Sequence, residues 1–190
     1  IHNLSISGGS EKSIFRMSAG YTKQDGIIVT ENDSFRKFTV NTDYKTNITD
    51  KLSVDLNLNY LNSLTKDPLG DYYRYITFSP YAPTGFQTQA DGSMIPYNTP
   101  GNQERFGIAP ETQRDNLRFF SKIEYKPMRA LTFVGEYTYG YSTSEFKSVN
   151  NQATFIDAQR YSLLPGDPAK TRLDLSNSRT RYNGTNLYAK

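Results

Sequence analysis

The chain has 190 residues, no cysteine, a single histidine (His2), and 22 Lys+Arg against 19 Asp+Glu for a net charge of +3. That balance is too even for a dedicated nucleic-acid-binding face, the lack of cysteine excludes disulfide frameworks and thiolate chemistry, and one histidine removes most zinc sites and Ser-His-Asp arrangements. No apolar run reaches the roughly 20 residues of a membrane-spanning helix, whereas a barrel strand needs only about 9 to 11 residues with every second side chain apolar.

In chain order, Leu4 and Ile6 mark a strand expected over residues 2–8, which Gly8-Gly9-Ser10-Glu11-Lys12 turns back. Phe15, Met17, Ala19 and Tyr21 carry the next, over 13–21, and a longer connection covers 22–34. Phe38, Val40, Thr42 and Tyr44 then alternate with Thr39, Asn41, Asp43 and Lys45 in a strand over 35–47. The turn-rich Asn47-Ile48-Thr49-Asp50 joins it to a strand over 52–61. There Leu52, Val54, Leu56, Leu58 and Tyr60 alternate strictly with Ser53, Asp55, Asn57 and Asn59. A one-residue slip would drive Asp55 and two asparagines onto the apolar side, so the pattern specifies which face is which.

A long connection, 62–116, precedes a strand over 117–126 in which Leu117, Phe119, Ser121, Ile123 and Tyr125 share one face. Lys126-Pro127-Met128-Arg129 is a tight turn. Leu131, Phe133, Gly135, Tyr137, Tyr139 and Tyr141 resume the alternation over 131–141. After a further long connection, 142–181, a last strand is expected over 182–190. The expected fold is therefore all-β, with antiparallel up-and-down strands.

Connections alternate short and long, and the last two long ones, 62–116 and 142–181, exceed what a compact soluble domain uses. A transmembrane β-barrel has a reason for the asymmetry, because short turns face the periplasm and long extracellular loops face outward. The chain has 15 Tyr and 11 Phe with no Trp, and the tyrosines near strand ends (Tyr44, Tyr60, Tyr125) are candidates for interfacial girdles. The alternative is a soluble β-rich carbohydrate-binding or adhesin-like module whose alternating faces pack against each other.

The ordered block of residues 3–61 closely resembles the SusC/RagA family of TonB-linked outer-membrane transporters. It carries Leu4-Ser5-Ile6-Ser7-Gly8-Gly9-Ser10-Glu11-Lys12, then Gly20-Tyr21-Thr22-Lys23-Gln24-Asp25-Gly26-Ile27-Ile28, then Arg36, Asn41 and Asp43, then the Leu52 to Tyr60 strand. Residues 62–190 match that family only in general character. The resemblance implies that residues 1–190 are part of a 22-stranded transmembrane barrel in the bacterial outer membrane, with the plug domain and TonB box lying elsewhere. It also implies active import of an oligosaccharide or peptide substrate, a SusD-like surface lipoprotein as lid, TonB as energy source and outer-membrane lipid as surroundings. It implies no enzyme activity, catalytic residue, cofactor or metal.

The best ligand-contact candidates lie in the long loop: Tyr72, Tyr73, Arg74, Tyr75, Phe78 and Tyr81, with Phe86 and Tyr97 beyond. Tyrosine rings stack on sugar faces or peptide side chains while arginine supplies planar hydrogen bonds. The competing account is that these aromatics pack the loop on itself or on the lid. Glu124 and Glu136 on adjoining strands could be neighbours, but Asp43, Asp55, Arg118, Lys122 and Glu136 are more simply a wet channel wall or a plug contact.

Overall fold

The computed structural model describes residues 1–27, 33–68, 77–150 and 153–190. Seven long strands form one antiparallel sheet: β1 (His2–Gly9), β2 (Ser13–Asp25), β3 (Ser34–Thr49), β4 (Leu52–Lys66), β7 (Ile108–Met128), β8 (Leu131–Asn150) and β11 (Arg172–Ala189). They pair with sequence neighbours only, in the order β1-β2-β3-β4-β7-β8-β11. Two small hairpins, β5 (Phe86–Thr88) with β6 (Met94–Pro96) and β9 (Phe155–Ile156) with β10 (Leu163–Leu164), and a short helix α1 (Pro100–Phe106) sit in the connections.

The turns at one end of the sheet are tight for identifiable reasons. Ser10 Oγ accepts from the amides of Lys12 and Ser13, both at 3.3 Å, and a Cβ on Gly9 would overlap the Ser13 carbonyl oxygen. Thr49 Oγ1 accepts from Lys51 N at 3.2 Å beside a register shift between Asn47 and Thr49. All three long connections leave from the opposite end of the sheet.

Register sorts the side chains into two chemistries. One same-face row is Leu4, Ala19, Val40, Tyr60, Leu117 and Tyr141; the next row toward the turns is Ile6, Met17, Thr42, Leu58, Phe119 and Tyr139. The other face carries Ser5, Ser18, Asn41, Asn59 and Arg118 in one row and Ser7, Arg16, Asp43 and Asn57 in the next. Nothing among the described residues covers the apolar face: Leu4, Ile6, Phe15, Met17, Leu58, Ile123, Phe133 and Leu187 are all exposed. Among the described residues the only buried apolar ones are Val134, on the opposite face, and Ile156 and Ala158, in the β9–β10 hairpin. The sheet thus has no core of the kind a soluble sandwich builds between two layers.

The strands reach further than their alternation suggests. The connections expected over 62–116 and 142–181 are shortened, because β4 continues to Lys66, β7 begins at Ile108, β8 continues to Asn150 and β11 begins at Arg172 instead of residue 182. Likewise β2 runs to Asp25, into the connection expected over 22–34. In these extensions both faces are polar, as with Asn62 and Ser63 or Glu145 and Ser144, so the apolar-polar contrast fades while backbone pairing continues.

Candidate functional site

The polar face encloses a concavity of about 620 Å³. Asn41 on β3, Asn59 on β4, Arg118 on β7 and Tyr182 on β11 line it from one paired row, with Gly140 of β8 leaving room between the last two. Thr39, Asn116, Ser142 and Thr180 line the row nearer the loops. Amide, hydroxyl and guanidinium groups stand in the lining beside Leu61 and the carbon surface of the tyrosines, with Arg118 the one charged residue. Such a surface offers donors and acceptors in a plane, as a polyhydroxylated or peptide-like ligand requires.

Toward the turns the same face becomes charged. Asn59 donates to Asn57 Oδ1 and Asn57 donates to Asp43 Oδ1 through short contacts. Lys45 meets Asp55 at 3.5 Å, and Lys122 meets Glu124 at 2.8 Å. Glu136 accepts from Tyr188 Oη at 3.0 Å and from Asn186 at 3.5 Å. In the register Lys122 stands opposite Glu136 and Val134 opposite Glu124, so the two carboxylates are diagonal neighbours on one face, each engaged with a partner of its own.

Above the loop end, two connections are knitted into one cap. Asn98 N donates to Ile156 O at 2.7 Å, and Tyr97 bridges Ile156 in parallel. Helix α1 starts because Thr99 accepts from Asn102 N at 3.3 Å with proline at the first position. Asn102, nearly buried, donates from Nδ2 to Tyr97 O at 2.9 Å and to Gly85 O at 3.1 Å. Two aspartates close the hairpin tips. The Ser93 hydroxyl and amide hold the Asp91 carboxyl below its ordinary value, and the Arg160 and Gln159 amides do the same for Asp157.

Of the loop candidates, Tyr72, Tyr73, Arg74 and Tyr75 lie outside the described residues. Phe78 is half-buried and lines a 260 Å³ groove with Asn98, Pro100 and Gln103. Tyr81 is 95% exposed and free to meet a ligand. Phe86 packs edge-on against Phe106, with ring centroids 5.7 Å apart. Tyr97 packs edge-on against Tyr161 at 6.1 Å. The four described candidates therefore do not converge on one pocket.

Sequence reasoning left out Asn41, Asn59, Asn116 and Tyr182 as contact residues. Asn41 and Asn59 were legible as the wet half of alternating strands, whereas Asn116 fell in the connection expected over 62–116; the assembly of these residues into two adjacent rows depends on pairing across five strands. Tyr161 was also left out; it has a φ of 54°, a left-handed conformation that a glycine or asparagine would adopt more readily. No group of three potential metal ligands occurs among the described residues. Compared with known proteins, the chain matches no family model and no curated protein.

Proposed function

We propose that this chain forms part of the wall of an outer-membrane β-barrel of the SusC/RagA type, an active importer of oligosaccharides or peptides. In this reading a SusD-like lipoprotein covers the loops, TonB energises uptake through another region, and the barrel closes with 22 strands. The short turns face the periplasm. The concavity around Asn59 and Arg118 belongs to the wet lumen, and the 77–107 and 153–171 cap shapes the entrance.

One observation carries the reading: the slope of the apolar band. On the apolar face the band gives way to polar side chains at Lys23 on β2, Arg36 on β3, Asn62 on β4, Asp115 on β7, Thr143 on β8 and Asn183 on β11. The register carries Lys23 and Arg36 across Leu64, Gln113 and Glu145 to Asn177, six residues from Asn183. Six residues span about 20 Å at roughly 3.3 Å each, across five inter-strand gaps totalling about 24 Å. The boundary is therefore inclined by about 40° from the perpendicular to the strands, which matches the roughly 35–45° by which barrel strands tilt from the bilayer normal. A soluble sheet covered by a second layer has no need of a boundary that descends from one edge strand toward the other.

Charge placement tests this directly. Leu58→Arg puts a cation in the middle of the band and should destabilise insertion into phosphatidylcholine bilayers by about 2–4 kcal/mol. Asn59→Arg, one residue away on the wet face, should insert like the unaltered chain. Equal tolerance of both substitutions would defeat the membrane reading.

A further inference from the structure

Cations border the apolar band on its outward face at both sides of the sheet. On β2 and β3, Lys23 and Arg36 stand directly opposite each other just beyond Tyr21 and Phe38. Like charges in that position repel, and Lys23 is partly neutralised by Asp25 at 2.8 Å. On β11, Arg181 and Arg179 occupy successive same-face positions loopward of Asn183. The Arg181 guanidinium lies 5.8 Å from the Tyr141 ring centroid, which holds it against the sheet. The nearest carboxylate on that face of β8, Glu145, accepts instead from Asn177 at 3.0 Å. Among the described residues, Arg36, Arg179 and Arg181 form no ion pair. By contrast, Asp115, the carboxylate at this boundary between the two cation pairs, is satisfied by Tyr60 at 3.0 Å and Asn62 at 2.7 Å.

Building on the membrane reading above, we infer that Arg36, Arg179 and Arg181 form outward-facing sites for the phosphate groups of lipids in the outer leaflet. An arginine fork binds phosphate through paired N–H donors. Following the slope of the band, Arg181 and Arg179 stand one and two same-face steps beyond its edge, within about 10 Å of the hydrocarbon, where lipid phosphates lie. Repulsion between Lys23 and Arg36 is relieved when an anion sits between them. The lumen-facing arginines Arg16 and Arg118 point to the opposite face and take no part.

The test uses the chain within its closed barrel, in phosphatidylcholine nanodiscs doped with diphosphorylated lipid A or with the same lipid stripped of its phosphates. Retained lipid is counted by native mass spectrometry. The unaltered chain should retain the phosphorylated lipid preferentially. Retention should weaken about fivefold for each arginine removed in the series ending at R36Q/R179Q/R181Q. R16Q/R118Q should retain lipid like the unaltered chain, and inorganic phosphate should not displace it. Equal retention of the two lipids, full retention by the triple variant, or displacement by inorganic phosphate would overturn the inference while leaving the barrel intact. The two-lipid comparison on the unaltered chain decides the matter even if the triple variant fails to fold. Failure of the unaltered chain to enter any nanodisc would instead remove the membrane reading, and this site with it.

Discussion

At the scale of single residues, two glycines at the ends of the first strands have a physical reason for their identity. A side chain on Gly9 would overlap the Ser13 carbonyl, and one on Gly26 would overlap the Asp33 carboxylate, whose Oδ2 accepts from Ile27 N at 2.9 Å. Asn102 is the corresponding residue of the cap, and nothing in its sequence surroundings singled it out. Replacing it with alanine removes two hydrogen bonds, leaving the Tyr97 carbonyl with the Thr99 amide alone and the Gly85 carbonyl with the Tyr97 amide alone. The cap should lose about 1–3 kcal/mol, read as faster amide hydrogen exchange over 85–106 with the large sheet unaffected. Unchanged exchange there would mean that the amide contributes nothing. The Asp157 carboxyl, held below its ordinary value of 3.8 by the Arg160 and Gln159 amides, predicts a pH dependence. A depressed folded-state value means that the stabilisation is complete above the ordinary carboxylate value and is lost as pH falls through the lowered one. On acid titration the Gln159 and Arg160 amides should stay protected down to the ordinary range and open below it; opening that begins near neutral pH would contradict this.

At the scale of elements, legibility followed the contrast between the two faces. Between Leu52 and Tyr60 every apolar residue sits on one face and every polar residue on the other, so both strand and orientation could be read directly. Beyond Tyr60 the same strand continues through Asn62, Ser63 and Thr65, where both faces are polar and the periodic signal vanishes although the ladder persists. β11 shows the extreme case. On the face of the apolar band it runs Leu173, Leu175, Asn177, Arg179, Arg181 and Asn183, a pattern with no continuous apolar side, and the strand is held by eighteen paired positions with β8. Helix α1 was missed for another reason: seven residues are too few for a helical period to stand out, and its start rests on the Thr99 cap and Pro100.

At the scale of the whole molecule, an open sheet with two unpaired edges and an uncovered apolar face cannot remain alone in water. β1 and β11 do not pair with each other among the described residues, and β11 presents an edge eighteen residues long. Without detergent or lipid the chain should associate, with sedimentation velocity showing concentration-dependent species larger than 21.6 kDa. A monodisperse monomer with a cooperative melt would favour the soluble binding module instead. The sequence by itself determined the all-β class, the strand faces within the band and the short turns, because these depend on neighbours within about ten residues. Only the tertiary structure decided where the strands end, which polar residues share the concavity with Arg118, and how the Tyr97 and Ile156 connections join into one cap. It also revealed the slope of the apolar band. All of these depend on register between strands far apart in the chain, where backbone hydrogen bonds align side chains that no local pattern relates.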